Sequence, residues 1–229
     1  MMGGMADVGT VVEEIVKRPE FVSEKLKGEL GRIEKLREWE IRDFVILEQV
    51  IPDADVEIDR VVGTAHPDYQ GLYWSEMLLK GKRMHINLPL LEENPGYYFE
   101  REQKLPIMEY LDIDGKIYVS GDGNHRTAIA KVLFHLLGIK VFGKVYLKRW
   151  LVDRRALSLY REALNSEIDV RVQRVRTGRE DGEGWHREVY EVFFLVKGKR
   201  LTVNKFEEYL RAKKGFEKKL IDFLRRWRG

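Results

Sequence analysis

The sequence predicts an α+β protein built around a mixed sheet with helices. Strand and helix patterns alternate through the middle of the chain, helical patterns precede them, and a strand meander followed by helices comes after. The 229 residues are 44% hydrophobic, which is enough apolar material for a substantial core. We therefore expect an N-terminal helical segment at 1–54, a core at 55–148 and a small basic α+β module at 149–229.

The N-terminal segment carries two helical patterns. Thr10 and Glu13 form a T-x-x-E capping box, so a short helix is expected to begin there and to end near Pro19. A longer helix is predicted over 23–44, because apolar residues recur along one side of it, namely Leu26, Leu30, Ile33 and Ile41. The short run 51–55 is predicted to be a linker to the core.

The run from Ile117 to Ala130 predicts a strand, a glycine-rich turn and the start of a helix. Its first residues are β-branched and aromatic, as strands prefer. Gly121 and Gly123 follow, and glycine permits turn conformations that other residues resist. From Thr127 onward apolar residues recur at helical spacing until Gly138, which predicts the helix end.

The predicted first turn of this helix carries His125 and Arg126, which break a local rule. A helix N-terminus has partial positive charge and unpaired N–H groups, so acidic residues suit it better than cations. An anion resting there would turn the repulsion into attraction, and phosphate is the usual anion at such a place. In the alternative reading, Arg126 turns sideways to pair with Asp122 or Asp114.

At these residues the chain resembles the ParB/sulfiredoxin superfamily. The signature of that superfamily is a P-I-x-V strand, a turn, a second strand and a D-G-x-H-R-x-x-A helix start, to which the runs 105–110, 114–119 and 121–128 are similar. The run 56–62 is similar to the opening strand of such domains, so the resemblance covers roughly 55–148. The resemblance implies that the helix N-terminus and its arginine hold nucleotide phosphates.

Differences between this sequence and the known groups of the superfamily reduce the number of activities to consider. Sulfiredoxins place a catalytic cysteine before the H-R pair, whereas this chain has no cysteine and carries Asn124 there, so that chemistry is excluded. ParB partition proteins bind CTP and DNA and use a helix-turn-helix domain after the shared core, which this sequence does not show. Free-serine kinases carry the similar motif D-G-H-H-R and use a carboxylate as base. This chain has Asn124 in place of the first histidine of that motif.

Three functions remain open. We favour a nucleotide-binding, ParB-like protein that works on or beside DNA. A small-molecule kinase would need a carboxylate as general base, and Glu57, Asp59, Asp68 and Asp122 are equal candidates. A nuclease would need carboxylates gathered around metal ions, and the sequence shows no clear cluster of them.

The site predictions combine the motif with the resemblance. Catalytic roles are assigned to Asp122, His125 and Glu57. The expected cofactor is a nucleoside di- or triphosphate, with Mg²⁺ arriving on the phosphates. No two histidines have ligand spacing on one element, so no metal site built by the protein alone is expected. Phosphate-binding roles are assigned to Gly121, Gly123, Asn124, His125, Arg126, Thr127 and, in the loop after the first core strand, His66.

The net charge of +3 hides a strong asymmetry along the chain. From Lys140 onward 24 basic residues face 13 acidic ones, whereas 1–139 holds 17 basic and 25 acidic residues. This predicts a basic module that binds a polyanion, with DNA as the first candidate, although the halves could instead attract each other or a partner subunit. The basic clusters are Arg149-Arg154-Arg155, Arg171-Arg174-Arg176 and Lys213-Lys214-Lys218-Lys219.

The C-terminal module is predicted to be a strand meander with helices. A helix is expected over 151–164 and a half-buried strand over 168–172, where apolar and polar residues alternate. Asn204 with Glu207 is expected to cap a helix that stops near Gly215. A last helix is then expected with one apolar face, formed by Phe216, Leu220, Leu224 and Trp227.

Composition bounds the setting of the protein. No apolar run approaches the roughly 18 residues that a membrane span needs. The first five residues lack the basic and apolar regions of a signal peptide, so a cytoplasmic location is expected, and a homo-oligomer is compatible with this composition. Glu, Lys and Arg are abundant while Asn and Gln together number nine, which is typical of thermophilic proteins.

Overall fold

The chain forms a mixed α+β structure with two compact units. The computed structural model describes residues 7–100 and 102–227, with the side chains of 216–218 and 220–227 left out of the description. The first unit comprises the chain up to Glu38, Gln49–Trp150 and Asp181–Arg187; the second comprises Trp39–Glu48, Leu151–Glu180 and the chain from Glu188. These units do not follow the boundaries after 54 and 148 that the sequence suggested.

The helices and strands alternate along most of the chain. The helices are α1 (Val8–Lys17), α2 (Pro19–Leu26), α3 (Glu38–Ile41), α4 (Met77–Lys80), α5 (Met84–Glu93), α6 (Asn124–Leu137), α7 (Arg154–Asn165) and α8 (Val203–Trp227). The strands are β1 (Glu34–Lys35), β2 (Val45–Glu57), β3 (Val61–Thr64), β4 (Glu109–Ile113), β5 (Lys116–Val119), β6 (Val141–Val152), β7 (Arg171–Gly182), β8 (Trp185–Val196) and β9 (Lys199–Thr202).

The first unit is organised by a mixed sheet, as the sequence predicted. Its strand order is β1-β3-β5-β4-β6-β2. Strand β3 runs parallel to β1 and β5, and β4 runs parallel to β6, whereas β4 and β5 are antiparallel. Asp114 and Gly115 join β4 to β5 with φ values of 50° and 95°, the left-handed conformations of a tight hairpin.

Helix α6 is the centre of the apolar core of the first unit. Five apolar side chains in the middle of this helix are fully buried, namely Ala128, Ile129, Ala130, Val132 and Leu133. Helices α1, α4 and α5 all contact α6. The strand β5 leads through a four-residue turn directly into α6, which confirms the predicted strand, turn and helix.

A lysine is buried beside this core. Lys131 of α6 is 4% exposed, and its Nζ donates to the carbonyl oxygens of Ile58 at 2.8 Å and Val61 at 2.9 Å. Burial lowers the pKa of this ammonium to about 8, and the nearby charge of Asp59 opposes that change. Lys131 thereby holds the turn between β2 and β3 against the helix.

The start of the chain is capped differently from the prediction. The N-cap of α1 is Asp7, whose carboxylate accepts from the N–H of Thr10 at 3.0 Å. Glu13 pairs with Lys17 at 2.7 Å one turn further on, so the expected capping box does not form. The predicted end of this helix near Pro19 is confirmed, because α1 ends at Lys17 and Pro19 opens α2.

The long helix predicted over 23–44 is wrong. Helix α2 ends at Leu26, and the chain then becomes extended, with Ile33 N–H donating to the carbonyl oxygen of Leu72 at 2.8 Å. Burial of Ile33 and Leu36 in this extended segment outweighs their helical spacing. The predicted linker at 51–55 is also wrong, because these residues continue strand β2.

The second unit combines a strand meander with helices that include α7 and α8, close to the predicted module. Strand β8 lies between β7 and β2, and β9 pairs with it in antiparallel fashion. The rings of Phe194 and Phe206 stack with centroids 4.0 Å apart, which packs α8 onto β8. Helix α7 begins at Arg154, three residues later than predicted, because Leu151 and Val152 still belong to β6.

Helix α8 differs from the two helices expected at the end of the chain. It runs through Gly215 without a break, and its first turn uses the hydroxyl of Thr202, which accepts from the N–H of Lys205 at 3.4 Å. Asn204 and Glu207 do not form the expected capping box; both bind Arg155. The predicted apolar face of the last helix lies outside the described side chains. No helix among the described residues is long and apolar enough to cross a membrane.

We predict that the two glycines at the ends of α6 differ in their tolerance of alanine. Gly123 has φ +116° and Gly138 has φ +68°, so alanine is strained at both, by roughly 1–2 kcal/mol. A Cβ at Gly123 would also lie 3.1 Å from Met108, whereas nothing lies within 4 Å at Gly138. Urea unfolding should show that Gly123→Ala costs at least about 1 kcal/mol more than Gly138→Ala. Equal costs would contradict the close packing of the turn.

Candidate functional site

A cleft of about 360 Å³ opens in the first unit where α5 faces the first turn of α6. This volume falls at the lower end of the range of small-molecule sites, about 300–1,000 Å³. One wall is a face of α5, and a second is the turn before α6 with its first residues. The third wall is formed by Tyr97, Tyr98, Leu105 and Pro106. The lining residues are Arg83, Asn87, Leu90, Leu91, Asn94, Tyr97, Tyr98, Leu105, Pro106, Asp122, Gly123, His125 and Arg126.

The first turn of α6 offers backbone donors to this cleft. Its N-cap is Gly123, which has no side chain to accept from the N–H groups that follow, and the turn contains no acidic residue. The N–H of Thr127 is bonded to the carbonyl of Gly123 at 2.7 Å, so the unpaired donors are those of residues 124–126. The local electrostatics therefore favour an anion here.

Two of the predicted phosphate-binding side chains instead fix the helix to the sheet. The amide oxygen of Asn124 accepts from the hydroxyl of Thr64 at 2.5 Å, and Asn124 is 8% exposed. The hydroxyl of Thr127 is fully buried and bonds the hydroxyl of Tyr110 at 2.7 Å. Burial raises the pKa of Tyr110, so this phenol stays protonated. Gly121 lies in the turn, and its carbonyl accepts from Asn124.

Arg126 lies at the cleft but is already held by three groups. One guanidinium nitrogen donates to the hydroxyl of Tyr97 at 2.8 Å and to the carbonyl of Pro106 at 2.6 Å. The other lies 3.2 Å from the carboxylate of Asp122, so the sideways pairing considered in the sequence does form. The side chain is only 12% exposed. Arg126 is thus a fixed cation in the cleft wall, placed before any ligand arrives.

The backbone hydrogen bond of His125 indicates the tautomer of its neutral ring. Its Nε2 accepts from the backbone N–H of Arg83 at 3.2 Å, and the hydroxyl of Tyr69, 3.1 Å from the same nitrogen, shares its single lone pair. The proton of the neutral ring therefore lies on Nδ1. Burial lowers the pKa of His125, and the charge of Arg83 lowers it further.

His66 joins this group through Tyr69. Its ring stacks on that of Tyr69 with centroids 4.5 Å apart, and the Tyr69 ring meets His125 edge-on at 5.4 Å. Its Nδ1 accepts from the N–H of Asp68 at 3.3 Å. The structure thus brings His66 and His125 to one neighbourhood, although His66 is not among the described residues that line the cleft.

The predicted catalytic carboxylates are separated by the structure. Asp122 lines the cleft, and its second oxygen accepts from the N–H of Gly123 at 2.7 Å. Glu57 lies next to Ile58, whose N–H donates to the carbonyl oxygen of Lys140. Lys140 follows the C-terminal end of α6, and that helix is about 21 Å long. Glu57 is therefore remote from the cleft.

The other two candidate bases are engaged elsewhere. Asp59 follows Glu57 in the same turn, near the ammonium of Lys131. The carboxylate of Asp68 forms an ion pair with Lys82. Of the four carboxylates considered, Asp122 alone lines the cleft.

The sequence did not identify the contribution of α5. Arg83, Asn87 and Leu90 lie four and three residues apart, which places them on one helical face, and that spacing is the signal that was available. Arg83 is exposed and has no ion-pair partner among the described residues. It is therefore a free cation beside His125.

The described residues contain no group of three or more His, Asp or Glu side chains that could hold a metal ion. A nuclease of the kind considered would need such a group around its ions. This finding gives that alternative no support in the described part of the chain.

Comparison with protein-family models, with curated proteins and with solved structures gave no match for this chain.

We predict that Tyr69→Phe raises the pKa of His125. The Tyr69 hydroxyl stabilises the unprotonated Nε2, so its loss removes one cause that favours the neutral ring. NMR titration of the ring should show this rise, with Tyr73→Phe as a control outside the network. An unchanged or lower pKa in Tyr69→Phe would show that the hydroxyl does not donate to Nε2.

The pH dependence of stability follows from the same ring. Because the pKa of folded His125 lies below the ordinary value of 6.5, the unfolded chain binds more protons between the two values. The contribution of the neutral ring to the free energy of unfolding is therefore fully present above pH 6.5, and it is lost as pH falls through the lowered pKa.

Proposed function

We propose that the cleft binds the phosphate of a nucleotide at the first turn of α6. The observation that carries this proposal is the convergence of two arginines and the N-terminal turn of α6, with His125 and Arg126 in the lining, on one cleft of ligand size. Phosphate oxygens accept charge-assisted bonds from such donors, and a helix N-terminus favours their charge. The resemblance of the D-G-N-H-R run to nucleotide-binding proteins supports the same assignment.

The two arginines of the cleft differ in mobility: Arg126 is fixed, whereas Arg83 can change its orientation. Arg126 is anchored by Tyr97 and Pro106, so it loses little freedom when an anion binds. Arg83 is exposed at the start of α5 and has no ion-pair partner among the described residues, so it can turn toward the ligand. His125 holds the backbone of Arg83 and thus fixes the distance between the two helices.

A small-molecule kinase is the second candidate, because Asp122 lines the cleft. A kinase needs a carboxylate beside the phosphate to accept the proton of the attacking hydroxyl. Asp122 accepts from Gly123 and pairs with Arg126, and it would have to release one of these partners to act as base. Phosphate transfer to serine, lost in Asp122→Asn while nucleotide binding persists, would establish this activity.

Action on or beside DNA is the further part of the proposal, and it rests on the second unit. That unit holds 20 basic and 14 acidic residues, a smaller excess than the sequence halves suggested. Several cations of the predicted clusters are paired within it: Arg155 with Glu207, Arg174 with Glu48, Arg176 with Glu188 and Lys214 with Glu162. Arg149, in the first unit, lies 3.6 Å from Asp112.

The cations available to a phosphate backbone therefore coincide only in part with the predicted clusters. Lys197 and Lys199 flank the turn between β8 and β9, both exposed and without an ion-pair partner among the described residues. Arg171, Arg200 and Lys205 share these properties.

We predict that Arg126→Ala weakens nucleotide binding by about 2–3 kcal/mol, the upper range for a hydrogen bond to a charged group. Titration calorimetry with and without Mg²⁺ measures this loss, and circular dichroism verifies the fold. Arg149→Ala is the matched control, because that arginine also faces a carboxylate but lies outside the cleft lining. Unchanged nucleotide affinity in folded Arg126→Ala would refute the proposal.

We predict that the double variant Lys197→Ala/Lys199→Ala binds duplex DNA more weakly than the native chain. Losing two phosphate contacts should make the negative slope of log affinity against log salt shallower by about 1.8. Fluorescence anisotropy at about 50 mM salt, where screening is slight, is the measurement. Lys214→Ala, whose ammonium lies 2.9 Å from Glu162, is the control and should have a smaller effect. Absence of binding by the native chain would remove DNA from the proposal.

A further inference from the structure

The cleft changes from cationic to apolar along α5. Arg83 lies at the end that faces His125, and Leu90 lies seven residues later, about 10 Å along the helix. Leu105 belongs to the third wall, next to Pro106, whose carbonyl accepts from Arg126. The apolar end therefore begins directly beside the fixed arginine.

The leucines at this end are open to solvent. Leu90 is 53% exposed and Leu105 is 69% exposed, although both line the cleft. Single exposed leucines need no explanation, but two of them at one end of a cleft offer apolar surface to a ligand. The part of the ligand that lies there should therefore be an uncharged body with apolar faces.

The charge of the cleft limits how many phosphates it can balance. Its ionised side chains are Arg83, Arg126 and Asp122, and Asp122 already pairs with Arg126. One phosphate monoester carries about −1.5 to −2 charges at pH 7, which two arginines and the N–H groups of α6 can meet. Each further phosphate adds negative charge for which the cleft has no additional cation among the described residues.

Asn87 lies between the two ends, on the same face of α5. Its Nδ2 donates to the carbonyl of Arg83 at 2.7 Å, so its Oδ1 remains as an acceptor. A neutral acceptor between a phosphate site and an apolar site matches a sugar hydroxyl between a phosphate and a base.

We propose that the ligand is a nucleoside monophosphate, an inference that rests on the proposed function. Its phosphate binds between Arg83 and Arg126, its ribose lies at Asn87, and its base packs on Leu90 and Leu105. This assignment narrows the ligand class from nucleotides in general to those with one phosphate.

Titration calorimetry of the full chain with inorganic phosphate, the four nucleoside monophosphates, ADP and ATP tests this assignment. At least one monophosphate should bind tenfold or more tightly than inorganic phosphate, and more tightly than ATP with or without Mg²⁺. Leu90→Asn should weaken that monophosphate roughly tenfold, through lost apolar contact, and leave inorganic phosphate unchanged. The control is Leu79→Asn, a leucine that is 45% exposed on α4 outside the cleft lining.

The outcomes separate this inference from the proposed function. Tighter binding of ATP with Mg²⁺ than of every monophosphate would overturn the inference and uphold nucleotide binding. An undiminished monophosphate affinity in folded Leu90→Asn would overturn the placement of the base. If the native chain binds none of the phosphates, the proposed function fails together with the inference.

Discussion

The candidate site depends on two buried polar contacts that hold the first turn of α6. Asn124 is bonded to Thr64 at the end of β3, and Thr127 is bonded to Tyr110 of β4. A buried polar group without a partner costs about 1–3 kcal/mol, so each of these contacts strongly favours one position of the helix. Because the helix start is fixed against two strands, its free N–H groups have a fixed direction.

Helical geometry explains how one short motif serves both structure and binding. Residues 124 and 127 are three apart and lie on one face, which is turned toward the sheet. Residues 125 and 126 fall on other faces, and both line the cleft. The geometry of the cleft therefore depends on the packing of the core.

The parts of the fold that the sequence predicted correctly are those determined by residues close together in the chain. The turn before α6 requires glycine at Gly123, and the burial of the helix follows its apolar spacing. The helix predicted over 23–44 failed because Ile33 is buried by contacts with residues about 40 positions away. Arg83 was missed for a similar reason, since only the tertiary packing of α5 brings it to the motif. Clusters of like charge in the sequence were equally uninformative, because acidic partners such as Glu48 come from distant segments.

The buried ammonium of Lys131 couples folding to proton exchange. Its pKa of about 8 in the folded chain lies below the ordinary value of 10.5, so between these values the unfolded chain holds the extra proton. Unfolding in that range takes up a proton from the buffer, and the free energy of unfolding gains a positive slope with pH. Calorimetric enthalpies of unfolding under alkaline conditions will accordingly contain the ionisation heat of the chosen buffer.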